Sequence, residues 1–448
     1  MKRLFGTDGI RGIAGESPLD PPTVRRFGAA LAGLLEETLK CPPRVVLGRD
    51  TRESGTWLRD AVVSGLISRG GEAVDAGVIT TPGLAYITRK ASFDAGVMIS
   101  ASHNPFQDNG LKVFSADGTK LPDTLEHKVE EQILDSGMKD PGATEKDTVQ
   151  DGSLVSCYME YLENAVSPSG RFKGLRLLLD CANGAATDIG PAVFRHHGAQ
   201  VRTYGTSPDG RNINLNCGSL HMDGLASRIR ESGFDVGIAF DGDADRVLAV
   251  DRRGRTVDGD HILYLAALKL RRDGLLRGDK VVATVMSNFW LERRLADEGV
   301  KLLRAPVGDK YVLERMIEED AILGGEQSGH IIFRDRGTTG DGILTGLFLL
   351  NALLDMSEDL EEVLDGIEPF PQVTLSVPVR EKPDLRAHPV IGPTVLEVEQ
   401  ALTRTGRVVL RYSGTEPLAR VMVEGRDEKT VRGHAERLVR VIRENLGG

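Results

Sequence analysis

Short aliphatic and β-branched runs along the chain end in loops rich in Gly, Asp or Ser, and the pattern predicts that a helix follows each loop. Strands that are apolar on both faces and alternate with helices predict parallel sheets covered on both sides. Ligands bind beyond the carboxyl ends of such strands. The clearest runs are RVVLGRDTRESG (44–55), GVMISASHNP (96–105), LRLLLDCANGAA (175–186), DVGIAFDGDADR (235–246), KVVATVMSN (280–288) and RVVLRYSGTEP (407–417).

Two helices are predicted from their apolar periodicity. The segment 21–40 starts with two prolines, which suit the first turn of a helix. The segment 428–448 ends in two glycines, a common stop signal. Their apolar faces consist of Val24, Phe27, Leu31 and Leu34 in the first helix and Val431, Leu438 and Ile442 in the second.

Polar connectors divide the chain. With 448 residues it is long enough for three or four domains of roughly 100–200 residues each. Breaks fall at 135–152, at 251–260 and at 365–373, where prolines flank Phe370. The predicted domains are 1–152, 153–254, 255–367 and 372–448, of which the last is the smallest.

Charge and apolar content exclude several classes of protein. A net charge of −10 argues against a general nucleic-acid binder. The longest apolar run, 344–354, is well short of the ~20 residues that span a bilayer. The N-terminus lacks the apolar stretch of a signal peptide. The four cysteines have neither zinc-ligand nor disulfide-framework spacing, and buried thiols are expected. These features predict a soluble cytoplasmic protein without a membrane partner.

The segment DGDADR (241–246) follows a buried-strand pattern and carries three alternating carboxylates, Asp241, Asp243 and Asp245. Three converging carboxylates repel one another unless a cation lies among them. Oxygen ligands favour a hard cation, Mg²⁺ before a transition metal. An EF-hand is excluded because the twelfth loop position is Arg252. A solvated acidic turn is the alternative.

Ser102 also ends an apolar run, in the segment SASHNP (100–105), but no base is evident beside it. No nucleophile-elbow motif surrounds it. His103 is adjacent, and adjacent side chains in extended backbone point to opposite faces. A hydroxyl without a base can instead carry a phosphoryl group, one oxygen of which could bind the predicted metal. A turn or helix-cap serine before Pro105 is the alternative.

Two further loops are candidates for binding. In RYSGTEP (411–417), hydroxyls and amides around a central glycine predict an anion cradle, and Arg411 and Arg420 add planar donors. In GGEQSGH (324–330), Glu326 could accept from two sugar hydroxyls. An ordinary turn is the alternative for the first loop. For the second, taken alone, an ordinary loop is the better interpretation.

Together, SASHNP, DGDADR, GEQSGH and RYSGTEP resemble the four signature loops of the α-phosphohexomutases, in the family order and one in each predicted domain. The resemblance implies three similar α/β domains with mixed sheets and a smaller C-terminal α+β domain around a central cleft. FGTDGIRG (5–12), Gln327 and SGTEPLARVMVEG (413–425) are most similar to the branch that acts on glucosamine phosphate, in the route to UDP-N-acetylglucosamine.

The resemblance also implies a role for each matched residue. Ser102 would carry the transferred phosphoryl group, activated by phosphorylation, and would ligate Mg²⁺ with the three aspartates. Arg11, His103, Lys112 and Arg246 would neutralise the phosphoserine, with Lys112 and His330 as alternative proton-transfer groups. Glu326, Ser328, Asp309 and Lys310 would contact the sugar. The phosphate that does not react would be held by Arg411, Ser413, Gly414, Thr415 and Arg420.

The implied reaction interconverts glucosamine 6-phosphate and glucosamine 1-phosphate through a 1,6-bisphosphate intermediate. Mutases for glucose or mannose phosphates, with the same fold, are the first alternative. A Mg²⁺ phosphatase with an aspartyl nucleophile in DGDADR is the second, and a non-catalytic sugar-phosphate sensor is the third. The partners expected are hexosamine phosphates, without nucleic acid. A homodimer is compatible with the sequence but is not specified by it.

Overall fold

The computed structural model describes residues 4–6, 8–135, 137–144, 148–168, 170–356, 359–403, 405–413 and 416–447. The predicted site residues Gly414 and Thr415 lie outside the described residues. The chain forms two compact units, one of residues 1–284 and 303–362 and one of residues 285–302 and 363–448. None of the helices in the described part combines the length and the apolar character that a membrane span requires.

The first sheet has seven strands in the order β1-β2-β6-β5-β3-β4-β7. Strand β3 pairs in parallel with β4 and β5, whereas β6 returns antiparallel beside β5. The sheet is therefore mixed. Its elements are β1 (Phe5–Gly6), β2 (Gly9–Ile13), α1 (Pro21–Leu39), β3 (Arg44–Arg49), α2 (Gly55–Ser68), β4 (Glu72–Val78), α3 (Thr81–Lys90), β5 (Ala95–Ile99), β6 (Asp108–Ser115), α4 (Asp123–Leu134), β7 (Val149–Gln150) and α5 (Ser153–Glu163).

The second sheet has five strands in the order β12-β11-β10-β8-β9. Strands β8, β9 and β10 are parallel, and β11 returns antiparallel beside β10. The elements are β8 (Arg176–Asp180), α6 (Ala186–His196), β9 (Gln200–Tyr204), α7 (Met222–Ser232), β10 (Val236–Phe240), β11 (Val247–Val250) and β12 (Thr256–Val257).

The third sheet has the order β14-β13-β15-β16, with β13 and β15 parallel and β16 antiparallel to β15. Its elements are α8 (Gly259–Arg272), a 3-10 turn (Arg277–Asp279), β13 (Lys280–Thr284), α9 (Phe289–Asp297), β14 (Lys301–Ala305), α10 (Asp309–Glu318), β15 (Leu323–Gly325), β16 (Ile331–Phe333), α11 (Gly342–Met356) and α12 (Leu360–Asp365). Helix α9, which lies within the predicted third domain, groups with the second unit.

The second unit contains an antiparallel sheet in the order β17-β19-β18. Helix α14 buries Val431, Leu438 and Ile442 as predicted, and the side chain of Asp427 caps it by accepting from the Thr430 amide at 2.7 Å. The elements are β17 (Gln372–Pro378), α13 (Ile391–Ala401), β18 (Gly406–Tyr412), β19 (Leu418–Gly425) and α14 (Glu428–Leu446). The predicted fold class is confirmed, whereas the domain boundaries stay a prediction.

The four signature loops join neighbouring antiparallel strands, β5 to β6, β10 to β11, β15 to β16 and β18 to β19. The expectation that a helix follows each apolar run is therefore wrong after SASHNP, DGDADR and RYSGTEP. It is correct after 44–49, 176–180 and 280–284, which lead into α2, α6 and α9. The sequence signal was the second apolar run after each of these loops, such as LKVF (111–114). Each loop thus lies at the carboxyl end of a strand and is fixed on both sides.

The cysteine prediction holds for two residues of the four. Cys181 and Cys217 are buried. Cys157 is half-buried, and Cys41 is exposed, which contradicts the expectation of four buried thiols. Cys41 lies in the connection between α1 and β3, where the chain runs over the surface.

Candidate active site

Ser102 lies in the loop after β5 and is 1% exposed. Its backbone has φ 53°, a left-handed conformation that is uncommon for a residue with a side chain. The hydroxyl oxygen lies 2.5 Å from Oδ2 of Asp241, to which it donates. The same oxygen lies 3.2 Å from Nδ1 of His103. The expectation that Ser102 and His103 point apart is therefore wrong, because the left-handed residue breaks the alternation of extended backbone.

Asp241, Asp243 and Asp245 converge in the loop after β10, and all three are buried. One ligand oxygen from each lies within 4.8 Å of the others. The Oδ1 atoms of Asp243 and Asp245 are buried and accept no hydrogen bond from any described residue. Buried carboxylate oxygens without a partner are costly unless a cation occupies the space between them. The residues present therefore fit a divalent metal ion.

The three carboxylates differ in their surroundings. Burial and the neighbouring charges of Asp245 and Asp243 raise the pKa of Asp241 well above its usual range. Burial acts the same way on Asp245, but the cations around it, Lys112 first and then His330 and Arg246, outweigh burial and hold its pKa well below that range. These surroundings therefore favour the neutral form of Asp241 and the negatively charged form of Asp245.

Lys112, on β6, is 2% exposed and is surrounded by carboxylates. Its Nζ lies 2.9 Å from Oδ2 of Asp243, 3.1 Å from Oδ2 of Asp8 and 3.5 Å from Oδ2 of Asp245. Burial alone would lower the pKa of Lys112, but these anions outweigh burial and raise it. The ammonium group is therefore a fixed positive charge.

Two arginines lie around the same loops. Arg11 pairs with Asp8 and donates to the carbonyl of Ala101 at 3.3 Å. Nη1 of Arg246 lies 3.3 Å from Nδ1 of His103, and its backbone amide donates to Oδ1 of Asp241 at 3.1 Å. Burial and the two arginines lower the pKa of His103 to about 4.

The loop after β15 contributes His330, which is 2% exposed. Its Nε2 accepts from the Gly340 amide at 2.9 Å, and its Nδ1 lies 3.7 Å from Oδ2 of Asp245. Glu326 is also buried, and its Oε1 accepts from the Gly308 amide at 3.1 Å. The structure therefore brings the GEQSGH loop beside the DGDADR loop, which is called the metal loop below.

The other candidate residues of the third predicted domain differ in their exposure and in their partners. Ser328 is exposed. Asp309 lies 3.7 Å from Nε2 of His330, whereas Lys310 pairs with Asp123. The side chain of Gln327 donates to Oδ2 of Asp258, the N-cap residue of α8, at 3.1 Å. Gln327 therefore connects the GEQSGH loop to the start of α8.

In the second unit, Arg411 on β18 and Arg420 on β19 are directly opposite each other in the sheet. Burial and then the charge of Arg420 lower the pKa of Arg411. Like charges directly opposite are destabilising unless an anion lies between them. Ser413 begins the loop between the strands, and its carbonyl accepts from Nζ of Lys382 at 2.7 Å. The two opposed arginines therefore fit an anion, and the carboxylate of Glu416 lies 3.4 Å from Nη2 of Arg420.

Several residues around the Ser102 and Asp243 loops were missed by sequence reasoning. Asp8 and Lys120 pair with each other, and Lys120 also lies 2.5 Å from Oδ2 of Asp309. The hydroxyl of Thr81, at the start of α3, donates to Oδ2 of Asp243 at 2.5 Å. Asp8 stands in FGTDGIRG, beside the predicted Arg11, and that motif was the available signal.

Family models of known proteins match four consecutive segments that cover most of the chain. Four models of phosphoglucomutase/phosphomannomutase match: α/β/α domain I at 2–139, domain II at 156–254, domain III at 258–370 and the C-terminal domain at 375–441. Among solved structures, a phosphoglucomutase/phosphomannomutase family protein from Burkholderia thailandensis is 23% identical, with a TM-score of 0.79 over 99% of this chain and 97% of that one.

The chain therefore belongs to the phosphoglucomutase/phosphomannomutase family, and the predicted resemblance is confirmed. Such a protein is an isomerase that transfers a phosphoryl group within a sugar phosphate. Two curated relatives, from Solibacter usitatus and Koribacter versatilis, are each 47% identical over 100% of this chain and 99% and 98% of their own length. Both are phosphoglucosamine mutases.

Proposed function

We propose that this chain interconverts glucosamine 6-phosphate and glucosamine 1-phosphate, with Ser102 as the phosphorylated residue and glucosamine 1,6-bisphosphate as the intermediate. The observation that carries the proposal is the 2.5 Å contact between Oγ of Ser102 and Oδ2 of Asp241, inside a cluster of three carboxylates. Phosphoglucosamine mutases that are 47% identical over the full chain support the choice of substrate.

Asp241, Asp243 and Asp245 would hold Mg²⁺ together with an oxygen of the phosphorylated Ser102. An all-oxygen donor set of carboxylates and a phosphate suits this hard cation better than a transition metal. Bound there, Mg²⁺ would neutralise charge that develops on the phosphoryl oxygens during transfer.

Each half-reaction exchanges one phosphorus–oxygen bond for another. In the first, the bond between phosphorus and Oγ of Ser102 breaks, and a bond forms to the C1 hydroxyl oxygen of glucosamine 6-phosphate. The sugar hydroxyl loses its proton to a base, and Ser102 regains one. In the second, after the bisphosphate has turned round, the bond between phosphorus and the C6 oxygen breaks and a bond to Oγ of Ser102 forms. Ser102 loses its proton to a base, the C6 oxygen gains one, and glucosamine 1-phosphate leaves. Such transfers depend on positioning and charge neutralisation.

Positive charge for both steps comes from side chains already fixed beside the serine. Arg11 donates to the loop carbonyl before Ser102, and Arg246 lies against His103. Lys112 lies among three aspartates and would compensate part of their charge when the phosphate is present. These cations favour the phosphorylated form of Ser102.

Lys112 and His330 are the two candidates for proton transfer. The ammonium of Lys112 directs its donors to carboxylates and has no lone pair to offer. His330 has one ring nitrogen bonded to the Gly340 amide and the other facing Asp245 at 3.7 Å. The imidazole is therefore held in one orientation next to the metal loop.

Substrate recognition divides between two loops. Glu326 uses Oε1 for the Gly308 amide, and its Oε2 would accept from sugar hydroxyls. Ser328 lies two positions after Glu326, and Asp309 and Lys310 directly follow Gly308. Arg411 and Arg420, directly opposite each other on β18 and β19, would hold the phosphate that does not react, together with Ser413, Gly414 and Thr415.

The test is a comparison of kcat/KM for the 6-phosphates of glucosamine, glucose and mannose, with the matching 1-phosphate measured as product. The proposal predicts the highest value for glucosamine 6-phosphate. A clear preference for mannose or glucose 6-phosphate would assign the chain to another branch of the family. Release of inorganic phosphate in stoichiometry with sugar would instead indicate a phosphatase.

A further inference from the structure

The left-handed conformation of Ser102 is held by two side chains from different parts of the first unit. Nη2 of Arg52 donates to the carbonyl of Ser102 at 3.1 Å and to the carbonyl of Asn104 at 2.6 Å. Nδ2 of Asn214 donates to the same two carbonyls, at 2.9 and 3.0 Å. Both carbonyl groups of the loop are thus fixed twice.

The amide side of Ser102 is tied to the same network. Its N–H donates to Oγ of Ser100 at 2.9 Å, and that hydroxyl donates to Oδ2 of Asp50 at 2.5 Å. Asp50 in turn pairs with Arg52, and both are buried. The two peptide groups that define φ and ψ of Ser102 are therefore held by one connected set of hydrogen bonds. A non-glycine residue persists in this conformation when its surroundings over-determine it.

The metal loop approaches the serine from the other side, through Gly242. A Cβ atom at Gly242 would lie 2.6 Å from the carbonyl oxygen of Ser102 and 2.9 Å from Nδ2 of Asn214. Only a glycine allows these three groups to meet. The close approach fixes the distance between the serine loop and Asp241.

From these contacts we infer that Arg52 and Asn214 are positioning residues for phosphoryl transfer. They hold the carbonyls of Ser102 and Asn104 so that Oγ of Ser102 stays directed at Asp241. The inference rests on the proposed function. Because Ser102 is the donor in one half-reaction and the acceptor in the other, its oxygen must return to the same place twice in each cycle. The hydrogen bonds of both residues go to backbone carbonyls and not to Oγ, so their loss affects orientation before it affects substrate binding.

The matched variants are Asn214→Gly and Asn216→Gly. Both asparagines have left-handed backbone, with φ 59° and 54°, so that glycine fits each without strain. Asn214 is 8% exposed and bonded to the serine loop, whereas Asn216 is exposed in the same segment. The pair therefore separates the loss of the amide from the introduction of a glycine.

The measurements are kcat, KM for glucosamine 6-phosphate, and the single-turnover rate at which a hexose 1,6-bisphosphate phosphorylates Ser102. Asn214→Gly should lower kcat and the phosphorylation rate about ten- to a hundredfold, the range expected for a misplacement of about 1 Å. KM should stay within about twofold of the Asn216→Gly value. Arg52→Lys keeps the charge beside Asp50 but loses the planar guanidinium group. It should lower kcat and the phosphorylation rate less than Asn214→Gly does.

Hydrogen exchange of the 100–104 amides tests the positioning without any activity measurement. Faster exchange in Asn214→Gly than in Asn216→Gly is expected. Equal exchange and equal kcat in the two variants would overturn the inference, as would a rise in KM with kcat unchanged. If wild-type protein takes no phosphate at Ser102, the proposed function fails, and the exchange rates still decide whether Asn214 holds the loop.

Discussion

Oγ of Ser102 lies 2.5 Å from Oδ2 of Asp241, although 139 positions separate the two residues in the chain. The contact joins a loop of the first sheet to a loop of the second. It places the hydroxyl that we propose to carry a phosphoryl group against three carboxylates that fit a cation.

Replacing Ser102 by Ala should abolish mutase turnover, because no other oxygen takes the place of Oγ. Wild-type protein treated with a hexose 1,6-bisphosphate should carry phosphate on the peptide that contains Ser102, as peptide mass spectrometry will show. Ser156→Ala, an exposed serine on α5, is the control and should keep full activity. Wild-type activity in Ser102→Ala would refute the assignment.

Asp243→Asn should weaken Mg²⁺ binding about tenfold or more while the protein remains folded, because an amide oxygen can ligate but one charge is lost. Calorimetric titration with Mg²⁺ and the thermal midpoint measure the two effects. Asp223→Asn, at an exposed position in α7, is the control. Exhaustive chelation of the wild type should stop turnover, and Mg²⁺ should restore it. Activity that survives chelation would exclude an essential metal.

Arg411→Ala should lower kcat/KM about ten- to a hundredfold, since hydrogen bonds to charged groups contribute roughly 1.5–3 kcal/mol each. The variant should also release more free glucosamine 1,6-bisphosphate, because the turning intermediate is held less firmly. Arg411→Lys keeps the charge but loses the planar guanidinium group. Its kcat/KM should therefore lie between the values of the wild type and of Arg411→Ala. Arg432→Ala, on the exposed surface of α14, is the control. Unchanged kcat/KM and unchanged bisphosphate release would show that the loop does not grip phosphate.

Asp341 should make the stability of the protein depend on pH. Burial raises the pKa of Asp341 to about 6, and its carboxyl group accepts from the hydroxyl of Tyr158 at 2.9 Å. Between about pH 4 and pH 6 the folded protein holds a proton that the unfolded chain has lost, so its stability falls as pH rises through this window. The loss is on the order of 3 kcal/mol and persists above pH 6.

Asp341→Asn should remove this dependence, because the amide is neutral at every pH. The thermal midpoint of the variant should exceed that of the wild type at pH 7 and approach it near pH 4. Asp297→Asn, an exposed change at the end of α9, should follow the wild type. Identical pH profiles for Asp341→Asn and the wild type would contradict the raised pKa.

The sequence predicted the strands and the convergence of Asp241, Asp243 and Asp245 well, because both depend on local pattern. An apolar run before DGDADR indicates a buried strand, and three alternating carboxylates indicate a cation. The antiparallel strands that follow SASHNP, DGDADR and RYSGTEP were missed, because the alternation of strands and helices predicted a helix there. Each signature loop joins two antiparallel strands.

Contacts between distant segments were beyond sequence reasoning. Asn214 lies 112 positions from Ser102, and nothing in its local sequence indicates a contact with a serine loop. The orientation of His103 was predicted wrongly because one left-handed residue reverses the expected face. Gln327, singled out from the family resemblance, supports α8 through Asp258. Such outcomes depend on tertiary packing rather than on the motif itself.

The most direct measurement is the transfer of a labelled phosphoryl group from Ser102 to sugar in a single turnover. Protein phosphorylated with a labelled hexose 1,6-bisphosphate is freed of excess reagent, mixed with glucosamine 6-phosphate and Mg²⁺, and quenched at short times. The label should leave Ser102 and appear first in glucosamine 1,6-bisphosphate and then in glucosamine monophosphate, with no inorganic phosphate. Label that stays on the protein, or that appears as inorganic phosphate, would contradict the mutase mechanism.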